Sequence, residues 1–177
     1  AVFHPSRKRR RRRATDEFIS RVDLAENVHT IEHDIERPDR SIVDAFEEVP
    51  STIVSDVTGN VGLTMDAGMK PAGDGVEMAG SAVTVKAAPG DNLIIHKAIT
   101  MAEPGDVLVI DCDGYTDVGH VGELMCGTCK ANGLAGLVID GGYRDSRELA
   151  EMDFPVYGRG VNPQGPLKQD PRSEEHT

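Results

Sequence analysis

The sequence lacks tryptophan and is poor in aromatic side chains, which make up 4% of its 177 residues. A hydrophobic core must therefore be built mainly from the aliphatic side chains within the 38% of the chain that is hydrophobic. No apolar run approaches the roughly 20 residues that cross a bilayer, so we predict no membrane segment and no membrane partner. The N-terminal residues also lack the apolar stretch of a secretory signal. These absences favour a soluble globular domain.

Cysteine is also scarce, with three residues, Cys112, Cys126 and Cys129. An odd number without a regular framework fits a reducing compartment better than a disulfide-bonded secreted fold, so we predict a cytoplasmic protein. Cys126 and Cys129 form a CxxC motif, a pattern used in redox and zinc sites. The motif has no second pair and falls within a predicted helix, which favours small packing residues instead.

Charge is distributed unevenly along the chain. The formal net charge is −11, yet residues 7–13 are seven consecutive basic residues and all thirty acids follow them. The rest of the chain therefore carries a charge of about −18, which would repel nucleic acid, and no nucleic-acid partner is predicted. The basic run could tether nucleic acid or anionic lipid. We interpret it as part of a disordered leader, because no periodic pattern surrounds it.

Three segments of different composition follow one another. Residues 1–40 are basic and then acidic, and they are predicted to be a leader or arm that is partly disordered. Residues 41–171 carry regular patterns and are predicted to form one domain. The last residues, 172–177 (RSEEHT), resemble the translation of a sequencing adapter. We predict that they are a non-native tail and that the natural domain, truncated here, continues with further strands.

Apolar strands alternate with helical patterns within the predicted domain. Strands are predicted at 81–87, 106–111, 136–140 and 154–158, a loop at 65–77, and helices after Ser41, after Pro50, within 89–106, at 122–132 and at 146–152. Continuous apolar strands separated by helices predict parallel pairing with right-handed crossovers, and hence an α/β fold. Ligands of such sheets bind outside the carboxyl ends of the strands.

The segment GLVIDGGYRD, Gly136–Asp145, carries candidate functional groups at such a strand end. Arg144 offers a planar guanidinium for a carboxylate or enolate oxygen, and Asp145 is a hard oxygen ligand for Mg²⁺ or Mn²⁺ bound mainly through water. The alternative is a surface ion pair of little energetic weight. Glu123 and Asp140 are expected nearby, and clustered carboxylates repel one another unless a cation joins them. The sequence therefore favours a functional site.

The segment GELM, Gly122–Met125, is predicted to open a helix next to this strand end. The backbone N–H groups of a helix start can bind a carboxylate or phosphate, although an ordinary helix start is the alternative. His120 comes just before this segment and could touch a substrate. A solvated loop histidine is the favoured interpretation.

Glu123, followed after twenty residues by Arg144 and Asp145, resembles the acid-x20-Arg-Asp signature of the RraA-like family. The segments MDAGMKP, AGSAVTVKAAPGDNLIIHKAI, PGDVLVIDCDG and GLVIDGGYRDSRELAEMDFPVYGRGVNP are also similar to that family, and the resemblance covers about residues 41–167. Its metal-dependent members are aldolases that release pyruvate from 4-hydroxy-4-methyl-2-oxoglutarate or 4-carboxy-4-hydroxy-2-oxoadipate. Many also decarboxylate oxaloacetate. The resemblance implies a three-layer swivelling β/β/α domain, assembled as a homotrimer or hexamer with active sites between subunits.

The same resemblance implies roles for individual residues. The pyruvyl part of a substrate would be bound by the main-chain amides of Gly122, Glu123, Leu124 and Met125. Arg144 would contact the substrate's keto oxygen, and Asp145 would hold the divalent cation, Mg²⁺ or Mn²⁺. The predicted catalytic residues are Arg144, which would stabilise an enolate, and Glu123, which would transfer protons. The aldolases of the family more often carry aspartate at the position of Glu123.

The resemblance also implies an alternative function. Other RraA-like proteins are not aldolases but bind and inhibit a ribonuclease by masking it. That activity depends on a protein–protein surface and needs no metal site. The Arg144–Asp145 pair favours the enzyme, because a pure binding surface gives no reason for it.

Overall fold

The computed structural model describes residues 31–32, 34–59, 64–74 and 77–168. From Glu32 onward these residues belong to one compact unit, Glu32–Asp170. The basic run and the predicted tail 172–177 lie outside the described residues. None of the helices within the described part of the chain is long and apolar enough to span a membrane.

The described residues contain five helices and five strands. In chain order they are α1 (Arg40–Glu47), α2 (Ser51–Val57), β1 (Lys70–Pro71), β2 (Ser81–Lys86), α3 (Leu93–Ile99), β3 (Asp106–Tyr115), α4 (Glu123–Ala131), β4 (Gly136–Tyr143), α5 (Ser146–Glu151) and β5 (Val156–Val161). The strands form a sheet in the order β1-β5-β4-β3-β2. Strands β2 to β5 run parallel, and β1 pairs antiparallel with β5. The predicted α/β class is confirmed; the described residues contribute one sheet.

The core lies on the helical side of the sheet and is aliphatic, as the composition predicts. Its largest fully buried side chains are Leu108 and Ile110 of β3, Leu137 and Ile139 of β4, and Ile95 of α3. Strands β3 and β4 are central, so apolar side chains from both are covered by helices that follow β2 and β3. The apolar runs at 106–111 and 136–140 are therefore the buried strands that the sequence predicts.

Strands β3 and β4 extend beyond their apolar runs, which corrects the predicted strand ends. Asp111 pairs with Asp140, and after a register shift Tyr115 pairs with Gly141. The glycines of GLVIDGGYRD therefore lie inside β4 rather than after it. A Cβ on Gly142 would lie 2.3 Å from the carbonyl oxygen of Val118, so only glycine lets the loop after β3 cross at this point.

Helix starts and the shortest strand show the limits of local patterns. Asn92 holds the N-cap position of α3, and the backbone N–H of Leu93, its first helical residue, donates to Asp91 Oδ1 at 2.7 Å. Helix α5 has Asp145 at its N-cap position and begins at Ser146, the first residue of the predicted helix 146–152. Strand β1 falls in the predicted loop 65–77, because two residues are too few to show an alternating pattern.

Candidate functional site

The predicted site residues meet where the loop after β3 runs beside the end of β4. Val121 forms a parallel bridge with Tyr143, and the backbone N–H of Arg144 donates to the carbonyl oxygen of Val121 at 3.0 Å. Helix α4 begins two residues later at Glu123. This pairing brings Glu123 next to Arg144 and Asp145, although twenty residues separate them along the chain.

The Asp145 carboxylate is anchored to the start of α4. The backbone N–H of Glu123 donates to Asp145 Oδ2 at 3.0 Å, and Arg144 Nε lies 3.7 Å from the same oxygen. The side chains of Arg144 and Asp145 are 40% and 38% exposed. A pair so open to solvent contributes little to stability by itself. Its carboxylate and guanidinium remain reachable by a small ligand.

Asp145 adopts the left-handed backbone conformation, with φ 57° and ψ 42°. Asparagine, aspartate and glycine tolerate this conformation best, and for other residues it costs about 1 kcal/mol or more. No side-chain hydrogen bond from Asp145 caps α5, although its carbonyl oxygen accepts from the N–H of Leu149 at 2.9 Å. The carboxylate instead bonds to α4. The backbone of Asp145 therefore starts α5, while its side chain is free to bond to α4.

Gly122 leaves the space that the Asp145 carboxylate occupies. A Cβ on Gly122 would lie 2.4 Å from Asp145 Oδ2 and 2.8 Å from Arg144 Cγ. The backbone of Gly122 is extended, with φ −157°, so its conformation does not require glycine. The requirement is the close approach of two side chains from the neighbouring segment. This explains why glycine precedes the acid in GELM.

Asp140 does not join this site, so its predicted proximity to Asp145 is wrong. It is hydrogen-bonded to Arg159, which also binds Asp66 at 3.0 Å. Asp140 instead lines a separate cavity of about 410 Å³ over the sheet, together with Lys86. Because β4 continues for three residues past Asp140, the strand end that carries the site lies beyond that carboxylate.

The acids that follow the apolar run of β3 are also occupied elsewhere. Asp111 pairs with Lys86 at 2.7 Å, and Asp113 pairs with the same ammonium group. These contacts lower the pKa of Asp111, chiefly through its hydrogen bond with Lys86. Both carboxylates are thus charged partners of a lysine on the neighbouring strand β2.

His120 is buried, which corrects the expectation of a solvated loop histidine. It is 1% exposed, and its Nε2 accepts a hydrogen bond from the backbone N–H of Gly90 at 3.0 Å. Its Nδ1 lies 3.4 Å from the carbonyl oxygen of Gly142. Burial lowers the pKa of His120, because the charged ring would lose its hydration. No local pattern in the sequence signals this burial.

The donor set fits one kind of cation. Among the described residues, no group of three or more His, Cys, Asp or Glu side chains is arranged to hold a metal ion. At this site the donor is the single hard oxygen group of Asp145. Mg²⁺ keeps several water ligands and binds through one or two carboxylates plus substrate oxygens, so one carboxylate suffices. Zinc sites take three or four protein ligands and do not fit.

The CxxC cysteines pack in the core, as the sequence analysis favours. Cys126 and Cys129 lie in α4 and are both 0% exposed. Burial raises the pKa of the Cys129 thiol to about 12 and raises that of Cys126 as well. Thiols that stay protonated are poor nucleophiles and poor metal ligands.

Comparison with known proteins identifies the family of this chain. The sequence profile of the RraA-like family, described as Aldolase/RraA, matches residues 41–176. This chain belongs to the RraA-like family. A relative from Halalkalibacterium halodurans, provisionally named a 4-hydroxy-4-methyl-2-oxoglutarate aldolase, is 39% identical over 117 residues. The match covers 66% of this chain and 55% of that relative, so the chain spans little more than half of the relative's length.

Solved structures of the family share the fold. The RNA-processing inhibitor RraA from Thermus thermophilis has a TM-score of 0.63 and 25% identity, over 69% of this chain and 73% of that chain. Streptomyces coelicolor RraAS2, described as an unusual member of the RNase ES inhibitor RraA protein family, has a TM-score of 0.68 and 26% identity. That similarity covers 77% of this chain and 71% of RraAS2. The resemblance predicted from the sequence is confirmed.

Proposed function

We propose that this chain carries the active site of a metal-dependent carbon–carbon lyase. It would cleave 4-hydroxy-4-methyl-2-oxoglutarate or 4-carboxy-4-hydroxy-2-oxoadipate to pyruvate and a second oxo acid, and would also decarboxylate oxaloacetate. The observation that carries the proposal is the Asp145 carboxylate, held by the Glu123 N–H with Arg144 beside it. The name of the Halalkalibacterium halodurans relative supports the cleavage of 4-hydroxy-4-methyl-2-oxoglutarate.

The start of α4 would bind the pyruvyl carboxylate. The first N–H groups of a helix have no partner within the helix and suit an anion. The N–H of Glu123 is already bonded to Asp145, which leaves those of Leu124 and Met125 as the candidate donors in that turn. The guanidinium of Arg144, two-fifths exposed, would donate to the 2-oxo oxygen.

Both reactions place negative charge on the same fragment, a pyruvate enolate, which the site must stabilise. Breaking the C–C bond of a 4-hydroxy-2-oxo acid, or losing CO₂ from oxaloacetate, leaves the bonding electron pair on pyruvate as its enolate. Arg144 would stabilise the charge that develops on the enolate oxygen, an interaction stronger in the transition state than in the ground state. A divalent cation, Mg²⁺ or Mn²⁺, held by Asp145 would supply Lewis-acid stabilisation at that oxygen.

Glu123 would carry out the proton transfers. Its side chain is exposed at the start of α4, beside the amide that anchors Asp145. In the aldol cleavage it would accept the proton of the 4-hydroxyl group and return a proton to C3 of the enolate. In the decarboxylation only the second transfer is required. Glu123 and Arg144 are therefore the proposed catalytic residues.

Asp145→Asn tests the proposal. Asparagine tolerates the left-handed backbone and can still accept from the Glu123 N–H, but it removes the charge that would hold a cation. We expect Mg²⁺-dependent pyruvate release from oxaloacetate, followed by a coupled dehydrogenase assay with and without chelator, to fall by about 100-fold.

Asp153→Asn is the matched control, because Asp153 also has a left-handed backbone, with φ 50°, and is exposed. It should retain the activity of the unaltered chain. Full activity of Asp145→Asn, or release that is insensitive to chelator, would contradict the proposed role of the carboxylate.

A second candidate function is inhibition of a ribonuclease. The similarity to the Thermus thermophilis and Streptomyces coelicolor proteins favours it. Masking an enzyme depends on a surface rather than on a bound cation, so Asp145→Asn should leave such inhibition intact while pyruvate release falls. We also propose assembly as a homotrimer or hexamer, which light scattering of the purified chain would check.

A further inference from the structure

We propose that His120 is a positioning residue for the Arg144–Asp145 site. It holds residues 119–123 in register with the end of β4 and thereby places the Glu123 N–H against the Asp145 carboxylate. The proposal concerns how the site is held, and its ligand-binding readout rests on the proposed function. His120 itself need not touch a substrate.

Four hydrogen bonds tie His120 to two other segments. Its Nε2 accepts from the N–H of Gly90, and its carbonyl oxygen accepts from Asn92 Nδ2 at 2.9 Å, which joins it to the loop before α3. Its backbone N–H donates to the carbonyl oxygen of Gly142 at 2.9 Å, and Nδ1 faces the same oxygen at 3.4 Å. All four groups are used, and the side chain is 1% exposed. A residue with only a space-filling role would not need this set of partners.

The pairing of His120 with Gly142 fixes the position of the residues that follow it in the site. The next residue, Val121, bridges Tyr143 and accepts from the N–H of Arg144. Two residues further on, the N–H of Glu123 reaches Asp145 Oδ2. A shift of His120 relative to Gly142 would therefore move Glu123 relative to Asp145. Because this contact is a hydrogen bond of 3.0 Å, a displacement of about 1 Å would break it.

Glycine at positions 141 and 142 permits the close approach of the two segments. A Cβ on Gly141 would lie 3.4 Å from His120 Nδ1 and 3.0 Å from Cys112 Cβ. A Cβ on Gly142 would lie 3.2 Å from the carbonyl oxygen of Thr116. The two glycines of GLVIDGGYRD therefore make room for the loop that His120 anchors.

The hydrogen bonds assign the tautomer of His120. Since the Gly90 N–H donates to Nε2, the ring proton must lie on Nδ1, where it faces the Gly142 carbonyl. A second proton, on Nε2, would point a ring N–H donor at the N–H donor of Gly90. The groups that face the ring are Asp91 from the loop before α3 and Tyr115 from β3, whose ring centroid lies 6.0 Å from that of His120. Burial outweighs the attraction of Asp91 and lowers the pKa, so the neutral ring prevails near neutral pH.

Binding of Mn²⁺ together with oxalate, a mimic of pyruvate enolate, tests the proposal on the full 177-residue chain. We expect His120→Ala to weaken this binding by about 10-fold, as measured by electron paramagnetic resonance. His120→Gln should stay close to the unaltered chain, because its Oε1 can accept from the Gly90 N–H. His96→Gln is the control, since His96 lies on α3 and its Nε2, although buried, makes no hydrogen bond among the described residues.

The pH profile separates positioning from packing. As the pH falls below about 6.5, binding to the unaltered chain should weaken as His120, whose pKa is lowered by burial, takes up its second proton, whereas His120→Gln should show a flatter profile. Equal binding by His120→Ala and the unaltered chain, or identical profiles for His120→Gln and the unaltered chain, would overturn the proposal.

Nuclear magnetic resonance supplies a readout that is independent of any ligand. The ¹⁵N shifts of His120 should show a proton on Nδ1 and none on Nε2, and His120→Ala should move the Glu123 amide resonance and speed its hydrogen exchange. A proton on Nε2, or an unchanged Glu123 amide, would overturn the proposal even if His120→Ala were too unstable for binding measurements. A chain that binds neither Mn²⁺ nor oxalate but shows the expected amide changes would contradict the proposed function alone.

Discussion

At the scale of single residues, the position of the Asp145 carboxylate depends on a missing side chain. Gly122 has no Cβ, and the space is filled by Asp145 Oδ2 and by Arg144. The backbone at Gly122 would suit any residue, so a substitution there acts on the site rather than on the fold. This makes Gly122 a sharper probe of the site than a catalytic residue, whose loss is harder to interpret.

Gly122→Ala should lower pyruvate release by about 100-fold, because a new Cβ at 2.4 Å must push the carboxylate away from its bonded position. Its free energy of unfolding should change little by comparison. Gly127→Ala in the same helix is the control, since its Cβ would meet only Met152 Cε at 4.0 Å. It should keep the activity and gain about 1 kcal/mol of stability from helix propensity. Equal activity of the two variants would show that the close contact is not needed.

A histidine that is neutral in the fold makes stability depend on pH. The pKa values of His120 and of His96 on α3 are both lowered, in each case first by burial. Below about pH 6.5 the unfolded chain therefore binds more protons than the folded chain. In that range the free energy of unfolding decreases as the pH is lowered. We expect urea unfolding of the unaltered chain to lose free energy from about pH 7 to about pH 5, and His120→Gln to lose less. An identical loss in both would contradict the assignment of His120.

At the scale of elements, an ion pair joins the segment before α1 to the start of β3. Arg37 Nε and one further guanidinium nitrogen bind Asp106 at 3.0 and 2.8 Å, and the N–H of Glu103 donates to the same carboxylate at 2.8 Å. Asp106 is 2% exposed, whereas the side chain of Arg37 is 22% exposed. The pKa of Arg37 is raised by this hydrogen bond. A buried carboxylate with these partners fixes the path of the chain before α1.

Arg37→Ala should lower the free energy of unfolding by about 2 kcal/mol, because it leaves Asp106 buried and without its countercharge. The loss is at the lower end for a buried pair, since the Glu103 N–H remains and Arg37 is partly exposed. Arg40→Ala serves as control: its partners Asp44 and Glu47 are exposed, and it should cost at most about 0.5 kcal/mol. Urea unfolding would measure both, and similar losses would show that burial of Asp106 carries no special cost.

At the scale of the whole molecule, the three cysteines report on the integrity of the core. Cys112, Cys126 and Cys129 are free, and each is 0% exposed. Burial raises the pKa of Cys112 and of Cys129 to about 12. They come from β3 and from α4, so their protection depends on the packing of sheet and helices against each other.

These thiols should not react with a disulfide reagent at about pH 8 until the chain unfolds, because few are ionised and none can be reached. In increasing urea their rate of modification should rise together with the loss of helical circular dichroism. A thiol that reacts in the native protein as fast as free cysteine would contradict the packing role and reopen the redox interpretation of the CxxC motif.

Much of the architecture follows from local patterns in the sequence. The apolar runs Asp106–Asp111 and Gly136–Asp140 predict buried strands, and their alternation with helical segments predicts parallel pairing, which the structure confirms. The positions of Glu123 and of Arg144 and Asp145 after neighbouring strands indicate the candidate site, because parallel strands place their following loops at one edge. The twenty-residue spacing between them adds the resemblance to the family signature. What local patterns misjudge is where each strand ends, since backbone pairing continues past the last apolar residue.

The sequence by itself determined most of the helices and strands and the aliphatic core, because these depend on residue types at short and regular spacings. It also determined the family, through segments that resemble other members. Only the tertiary structure decided that Asp140 binds Arg159 instead of joining Asp145, and that His120 is buried. The first contact joins the neighbouring strands β4 and β5. The burial of His120 depends on how the loop after β3 crosses the end of β4, where two glycines leave room for it. Such contacts form between residues that are far apart in the chain, so no short stretch of sequence can predict them.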